Sequence, residues 1–490
     1  MADNADVIAG VRVLVIASEQ VGARMAGPAI RASALAGELA AAGAVVTLAM
    51  PALPDEASSV PAGVTAAAFG VPSARSLADL VRTCAPQVIV TQPQRVDIAW
   101  GLRHMGRPVV YDLYVPSFVE RIAQLATEPG DDTLKRRLLD RDRREYATAL
   151  EMGDAFLCAT ERQKDHWLGA LGQAGRPDLE LLARDGRADA LIGVVPFGLS
   201  SDAMPALGTG GAIRGALVPD DAIVLLWTGG IWNWFDPVTI VEGLARARAR
   251  EPRLHLVVMG MRHAEAAWEE QDASKRLRAR AEELGLLADG GVVLTDAWVP
   301  FAERHRWLGD SDIAVCAHRD SLETRLSFRT RFLDHLWAGL PTVSTAGGDL
   351  TDRMADAGAA LVVPELDVEA WEATLLELAA DAPQRERMSV AARQLGEELH
   401  WSAVAAPLVR IVAALQESDK RTRRPKARGR IWDLVTYMVL LVRVRIQAKG
   451  LGSLREAAHG ALGKSVREQA IERGSATSSE AGSDRTPAAR

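Results

Sequence analysis

At 490 residues, 48% of them hydrophobic, the chain carries enough apolar mass for two globular domains with accessory segments. Its 57 Lys and Arg against 64 Asp and Glu give a net charge of −7, which excludes a global field for nucleic acid or an anionic membrane, so any basic function has to be local. Cys84, Cys158 and Cys316 lie far apart with no CxxC, which argues against a disulfide scaffold or zinc site and fits a reducing cytoplasm.

The first ten residues, MADNADVIAG, show no basic region leading into an apolar run, and no stretch of about 18 uncharged apolar residues occurs. Neither a signal peptide nor a spanning helix is expected. In chain order, VRVLVIAS (11–18) reads as a strand, PAIRASALAGELAAAG (28–43) as a helix and VVTLAM (45–50) as the next strand. Further short apolar runs at 88–92, 108–114, 155–160 and 191–198 alternate with helical stretches. That rhythm predicts a parallel sheet covered on both faces, a Rossmann-like domain over residues 1–205.

A Gly-rich, turn-prone stretch, 206–221, interrupts the rhythm and reads as a linker, after which the pattern restarts. Strands are expected at 222–230, 254–260, 291–296, 312–318, 341–346 and 360–365, giving a second α/β domain over 206–399. Residues 400–417 read as a helix closing that domain, and 418–490 as a basic, amphipathic and finally disordered tail.

In parallel α/β sheets ligands bind beyond the carboxyl ends of the strands, so the strand-to-helix loops are where chemistry is expected. LETRLSFRTRFLDHLWAGLP (322–341) is the most informative of them. A helix is predicted to begin near Ser327 as N-cap, with Phe328, Phe332, Leu333 and Leu336 on its apolar face and Arg329 among them. A cation in the first turn opposes the helix dipole unless an anion binds there, and paired guanidiniums suit a diphosphate. Arg325, Arg329 and Arg331 are therefore candidate diphosphate ligands, and Arg329→Ala is expected to weaken nucleotide binding with the fold intact. The competing reading pairs Arg331 with Asp334 and Arg329 with Glu323.

TGGIWNWFDP (228–237) brings Gly229 and Gly230 to a similar edge, MGMRHA (259–264) brings Arg262 and His263, and SEQVGARMAGPAIR (18–31) brings Gly27. The last does not spell GxGxxG, so a dinucleotide fingerprint is not supported. YDLYVPSFVE (111–120) places Asp112 and Glu120 near another edge, either as sugar-positioning groups or as solvated or capping carboxylates.

Together these segments resemble the family-4 (group 1) glycosyltransferases, over roughly residues 11–417 in pattern. The most specific part is DHLWAGLPTVST (334–345), similar to that family's E-A-M-A-x-G-x-P-V-V segment. GPAIRASALAGELAAAGAVVTLAM, VVPFGL and DAWVPFAERHRWLGDSDIAV are also similar to family elements. The resemblance implies a GT-B fold, an acceptor domain followed by a donor domain, a UDP- or GDP-type sugar donor, retention of configuration and no metal or other cofactor. It implies Asp334 at the donor ribose and Glu323, the nearest carboxylate to the family's first glutamate, at the donor sugar. Two departures stand out. Leu326 occupies the position eight before Asp334, and Ile231, Trp232, Asn233 and Trp234 stand where the family has its phosphate-binding Arg and Lys. Surplus arginines in 325–331 offer a physical compensation.

KRTRRPKARGR (420–430) precedes the apolar IWDLVTYMVLLVRVRIQ (431–447), too short in its uninterrupted part to span a bilayer. It is expected either to lie in the inner leaflet near a lipid-linked acceptor or to dock on protein. The leading reading is thus a transferase acting on a glycan or lipid-linked hydroxyl. The alternatives are a nucleotide-sugar epimerase or a non-catalytic, membrane-associated scaffold.

Overall fold

The computed structural model describes residues 7–22, 25–54, 59–127, 130–176, 179–205, 211–261, 270–296, 299–300, 303–417 and 430–449. Among them, the first sheet comprises β1 (Arg12–Ile16), β2 (Val45–Met50), β3 (Val64–Ala68), β4 (Val88–Thr91), β5 (Val109–Asp112), β6 (Ala155–Cys158) and β7 (Ile192–Val194). Their order is β3-β2-β1-β4-β5-β6-β7, all parallel. The second comprises β8 (Ile223–Trp227), β9 (Leu254–Val258), β10 (Val292–Leu294), β11 (Ile313–Cys316), β12 (Thr342–Thr345) and β13 (Ala360–Val363), in the order β10-β9-β8-β11-β12-β13 and again all parallel.

Unbroken apolar runs are what strands covered on both faces require, and β4, β5, β6, β8, β9 and β11 are buried at every residue. The expected α/β class with two Rossmann-like sheets is therefore the observed one. β3, which the sequence reading passed over, pairs only with β2 at the sheet edge. Its VTAAA run lacks the bulky β-branched signal of a core strand.

Residues 400–417 depart from expectation. Instead of one helix closing the second domain, they form two, Trp401–Val404 and Ala406–Glu417, that return to the first sheet. The Leu199 N–H donates to Leu399 O (2.8 Å) and the Trp401 N–H to Leu199 O (3.0 Å). Gly198 lies so close to the Trp401 ring that a Cβ there would come within 2.6 Å of it. Leu408, Val409, Ile411, Val412 and Leu415 are buried, and Ile411 and Pro407 pack beside Gly193 of β7.

The chain forms two compact units. One contains both sheets; the other comprises the described part of residues 129–144 and the helix Arg430–Lys449. The basic run 420–429 lies outside the described residues.

Candidate functional site

The stretch after β11 is segmented. Ser321, not Ser327, is the N-cap, its hydroxyl accepting the Thr324 N–H at 3.1 Å, and the helix Leu322–Leu326 ends at Ser327, whose ψ of 145° is extended. A second helix, Arg331–Ala338, closes on Gly339 at φ 67°. The apolar spacing of Phe328, Phe332 and Leu336 runs through this break, which conceals it from periodicity. Arg329 therefore sits between helices, and Glu323 reaches it from six residues earlier: Arg329 Nη1 donates to Oε1 at 2.9 Å and Nη2 to Oε2 at 2.8 Å. Both side chains are buried, and Nη2 also reaches Thr324 Oγ1 at 3.3 Å. Glu323 supplies the negative charge that an external anion would otherwise have to provide, so Arg329 is already neutralised and is not a free diphosphate ligand.

Arg331 is different. Its Nη2 donates to Gly230 O at 2.7 Å, and its guanidinium lies 4.1 Å from the Phe235 ring centre and 4.9 Å from that of Trp227. Nη1 is buried with no hydrogen-bond partner, and no carboxylate among the described residues lies within ion-pair distance. Burial is the main cause of its pKa falling to about 10, and Arg329 adds repulsion, yet it stays protonated near neutrality. The Arg331–Asp334 pair weighed in sequence does not form. Asp334 instead binds Arg304 at 2.8 Å; burial raises its carboxyl pKa, opposed by Arg304 and Arg331. Arg325 is exposed on the short helix, and Arg262 and His263 lie outside the described residues.

Arg331 borders the loop after β8. Gly229 sits at φ 70° with no atom within 4 Å of where a Cβ would stand, and the nearest atom to one at Gly230 is Trp232 Nε1, 4.0 Å away. Backbone here is open to close approach. Trp232 and Trp234 stack at 5.5 Å beside it.

On the first sheet, Asp112 is not available to a sugar hydroxyl. Arg31 takes both of its oxygens, at 2.7 and 2.9 Å, and donates to Val195 O and Pro196 O as well. Arg31 is fully buried with the Tyr114 ring 4.6 Å away, so the pair ties the helix Gly27–Ala41 to the exits of β5 and β7. Gly27 opens that helix, with Tyr114 Oη the nearest atom to a would-be Cβ at 4.0 Å. Glu120, on the helix Ser117–Thr127, faces Glu323 and Arg329: burial, with Glu323 next, raises its pKa to about 7, against the pull of Arg329 and Arg121.

Residues 222–381, spanning β8 to β13, match the family model for glycosyl transferases group 1. Over that stretch the chain is similar to the group 1 glycosyltransferases. It is 30% identical to the D-inositol 3-phosphate glycosyltransferase of Stackebrandtia nassauensis over 218 residues, 44% of this chain and 46% of that relative, so the match spans about half the relative's length. The architecture extends further. The sucrose-phosphate synthase of Thermosynechococcus elongatus superposes with a TM-score of 0.56 at 16% identity, covering 83% of this chain and 99% of the other. HepE of Anabaena, solved with UDP and glucose, gives 0.57 at 14% identity, covering 83% and 100%. At such identities the likeness is one of fold, GT-B.

In this GT-B framework, two residues that sequence reasoning passed over lie at the carboxyl edges of the sheets. Gln163 is fully buried; its Nε2 donates to Tyr114 O at 2.9 Å and across to Leu326 O at 2.7 Å, while Oε1 accepts the Ala159 N–H. His318, at the exit of β11, is also fully buried, and burial, reinforced by Arg329, lowers its pKa to about 3, so the ring is neutral. The available signal was position: each follows a strand at its carboxyl end.

Proposed function

We propose that the protein transfers a sugar from a UDP- or GDP-type donor to a hydroxyl of a glycan or lipid-linked acceptor. The observation that carries the reading is Arg331, a partly buried cation with one unpartnered nitrogen, beside the open Gly229-Gly230 backbone at the carboxyl edge of the glycosyltransferase domain. A departing diphosphate accumulates negative charge in the transition state, and a guanidinium with a free N–H in a low-dielectric site is suited to stabilise it. Arg325 and Arg262 are secondary candidates for the same group, Gly229, Gly230 and Gly27 for close backbone approach and Asp334 for the ribose, while Glu323, expected at the donor sugar, is left out because Arg329 takes both of its oxygens.

Family resemblance adds retention and independence of metal. In that scheme the bond from the anomeric carbon to the diphosphate oxygen breaks, its electron pair leaving with the phosphate. The acceptor oxygen bonds to the same face, and its proton passes to the phosphate oxygen. Asp112 is left out because Arg31 saturates it.

Calorimetry with UDP and GDP, followed by a donor screen with labelled nucleotide-sugars and a membrane extract, tests the proposal. Binding and label transfer support it. Absence of any diphosphate binding points to the scaffold, and sugar epimerisation without transfer points to an epimerase.

A further inference from the structure

Helix Arg430–Lys449, in the second compact unit, carries a surface that sugar transfer leaves unused. Val435, Met438, Val439 and Val442 are exposed at 46%, 44%, 46% and 43%. At 100° per residue their spacing places them within one arc of about 100°. Tyr437, on the opposite side of the helix, is fully buried, and Arg144 of the same unit donates to Thr436 Oγ1 at 3.1 Å. The helix is thus packed through one side and presents an apolar stripe on the other, an arrangement that marks an interaction surface.

Charge selects the occupant. Residues 420–449 hold ten Lys and Arg against Asp433 alone, in a chain whose net charge is −7. Arg443 is exposed one position after Val442, at the border of the stripe. A second copy on this face would bring two such basic segments together, at the cost of like-charge repulsion. An anionic lipid surface accepts both the cations and the apolar side chains. Among the described residues no helix is long and apolar enough to cross a membrane, so the contact is one of lying on the surface.

We propose that the outward face of helix Arg430–Lys449 docks on a bilayer containing anionic lipids, with Val435, Met438, Val439 and Val442 below the headgroups and Arg443 at the level of the phosphates. This docking stands independently of the transfer reading; where both hold, it carries the glycosyltransferase domain to acceptors in the membrane.

The test is cosedimentation of the full-length chain with vesicles of phosphatidylcholine alone or mixed with phosphatidylglycerol. The chain is expected to sediment only with the mixed vesicles, and about 10-fold less at high salt because surface attraction is screened. Met438→Glu with Val442→Glu should lower binding about 10-fold or more. The thermal transition and the calorimetric response to UDP should be unchanged, which separates this outcome from failure of the transferase reading. Val439→Ser, a milder change, keeps the test readable if the double variant folds poorly. Wild-type chain that ignores anionic vesicles, or variants that bind as wild type does, would overturn the proposal. So would light scattering that shows a dimer split by the double variant with no vesicle binding.

Discussion

Two arginines two residues apart have opposite energetics. Arg329 is buried against Glu323 with two charge-assisted hydrogen bonds, so removing either partner strands a charge. Arg329→Met or Glu323→Leu alone should destabilise the chain by about 3–5 kcal/mol, whereas the double replacement should lie much closer to wild type. Chemical denaturation of the four proteins measures the cycle, and additive losses would show that the pair is not coupled. Arg331 has no such partner, and its Nη1 is buried and unsatisfied. Arg331→Met is therefore expected to keep or raise the thermal transition while weakening UDP or GDP binding about 10- to 100-fold, the value of a lost hydrogen bond to a charged group. Unchanged affinity would remove Arg331 from the site. The sequence could show that cations were concentrated in 325–331 but not which was already neutralised. Arg31 and Asp112, 81 positions apart, show the same limit, since only the fold brings them together.

At the scale of elements, legibility followed the strength of the local pattern. Core strands announce themselves as unbroken apolar runs, while the Ala-rich β3 at the edge does not. The two helices of 322–338 share a hydrophobic period across their break, so a cap at Ser321 and an extended Ser327 were hidden beneath one continuous pattern. The first of these short helices lies close against the loop after β12. Gly347 lies at φ 108°, and a Cβ there would stand 2.8 Å from Thr324 Cγ2. Gly347→Ala combines backbone strain of about 1–3 kcal/mol with that clash. Hydrogen exchange should report faster exchange of amides 322–327 in the variant; protection equal to wild type would mean that the loop relaxes without disturbing the helix.

Across the two-sheet unit, the carboxyl edges are joined by groups with different responses to pH. Gln163 bridges Tyr114 O and Leu326 O with neutral hydrogen bonds, which do not titrate, and Arg162 pairs with Asp352 at 2.6 Å. Glu120 does titrate in the working range. It faces Glu323 and Arg329, with Arg121 nearby, and burial followed by Glu323 raises its pKa from 4.5 to about 7. The folded chain therefore holds this proton at pH values where the unfolded chain has lost it. The stability linked to Glu120 is fully present below about pH 4.5 and is lost as pH rises through about 7. Glu120→Gln keeps the shape and fixes the uncharged state, so wild type and variant should melt together at pH 4, below the unfolded pKa of 4.5, with the variant melting higher at pH 8. The same ionisation sets two carboxylates against each other where the sheets meet. Small-angle scattering should accordingly show wild type expanding between pH 6 and pH 8 and Glu120→Gln unchanged. If the two proteins track each other across the range in both measurements, Glu120 is hydrated and the meeting of the two sheets rests on Gln163 and the Arg162–Asp352 pair.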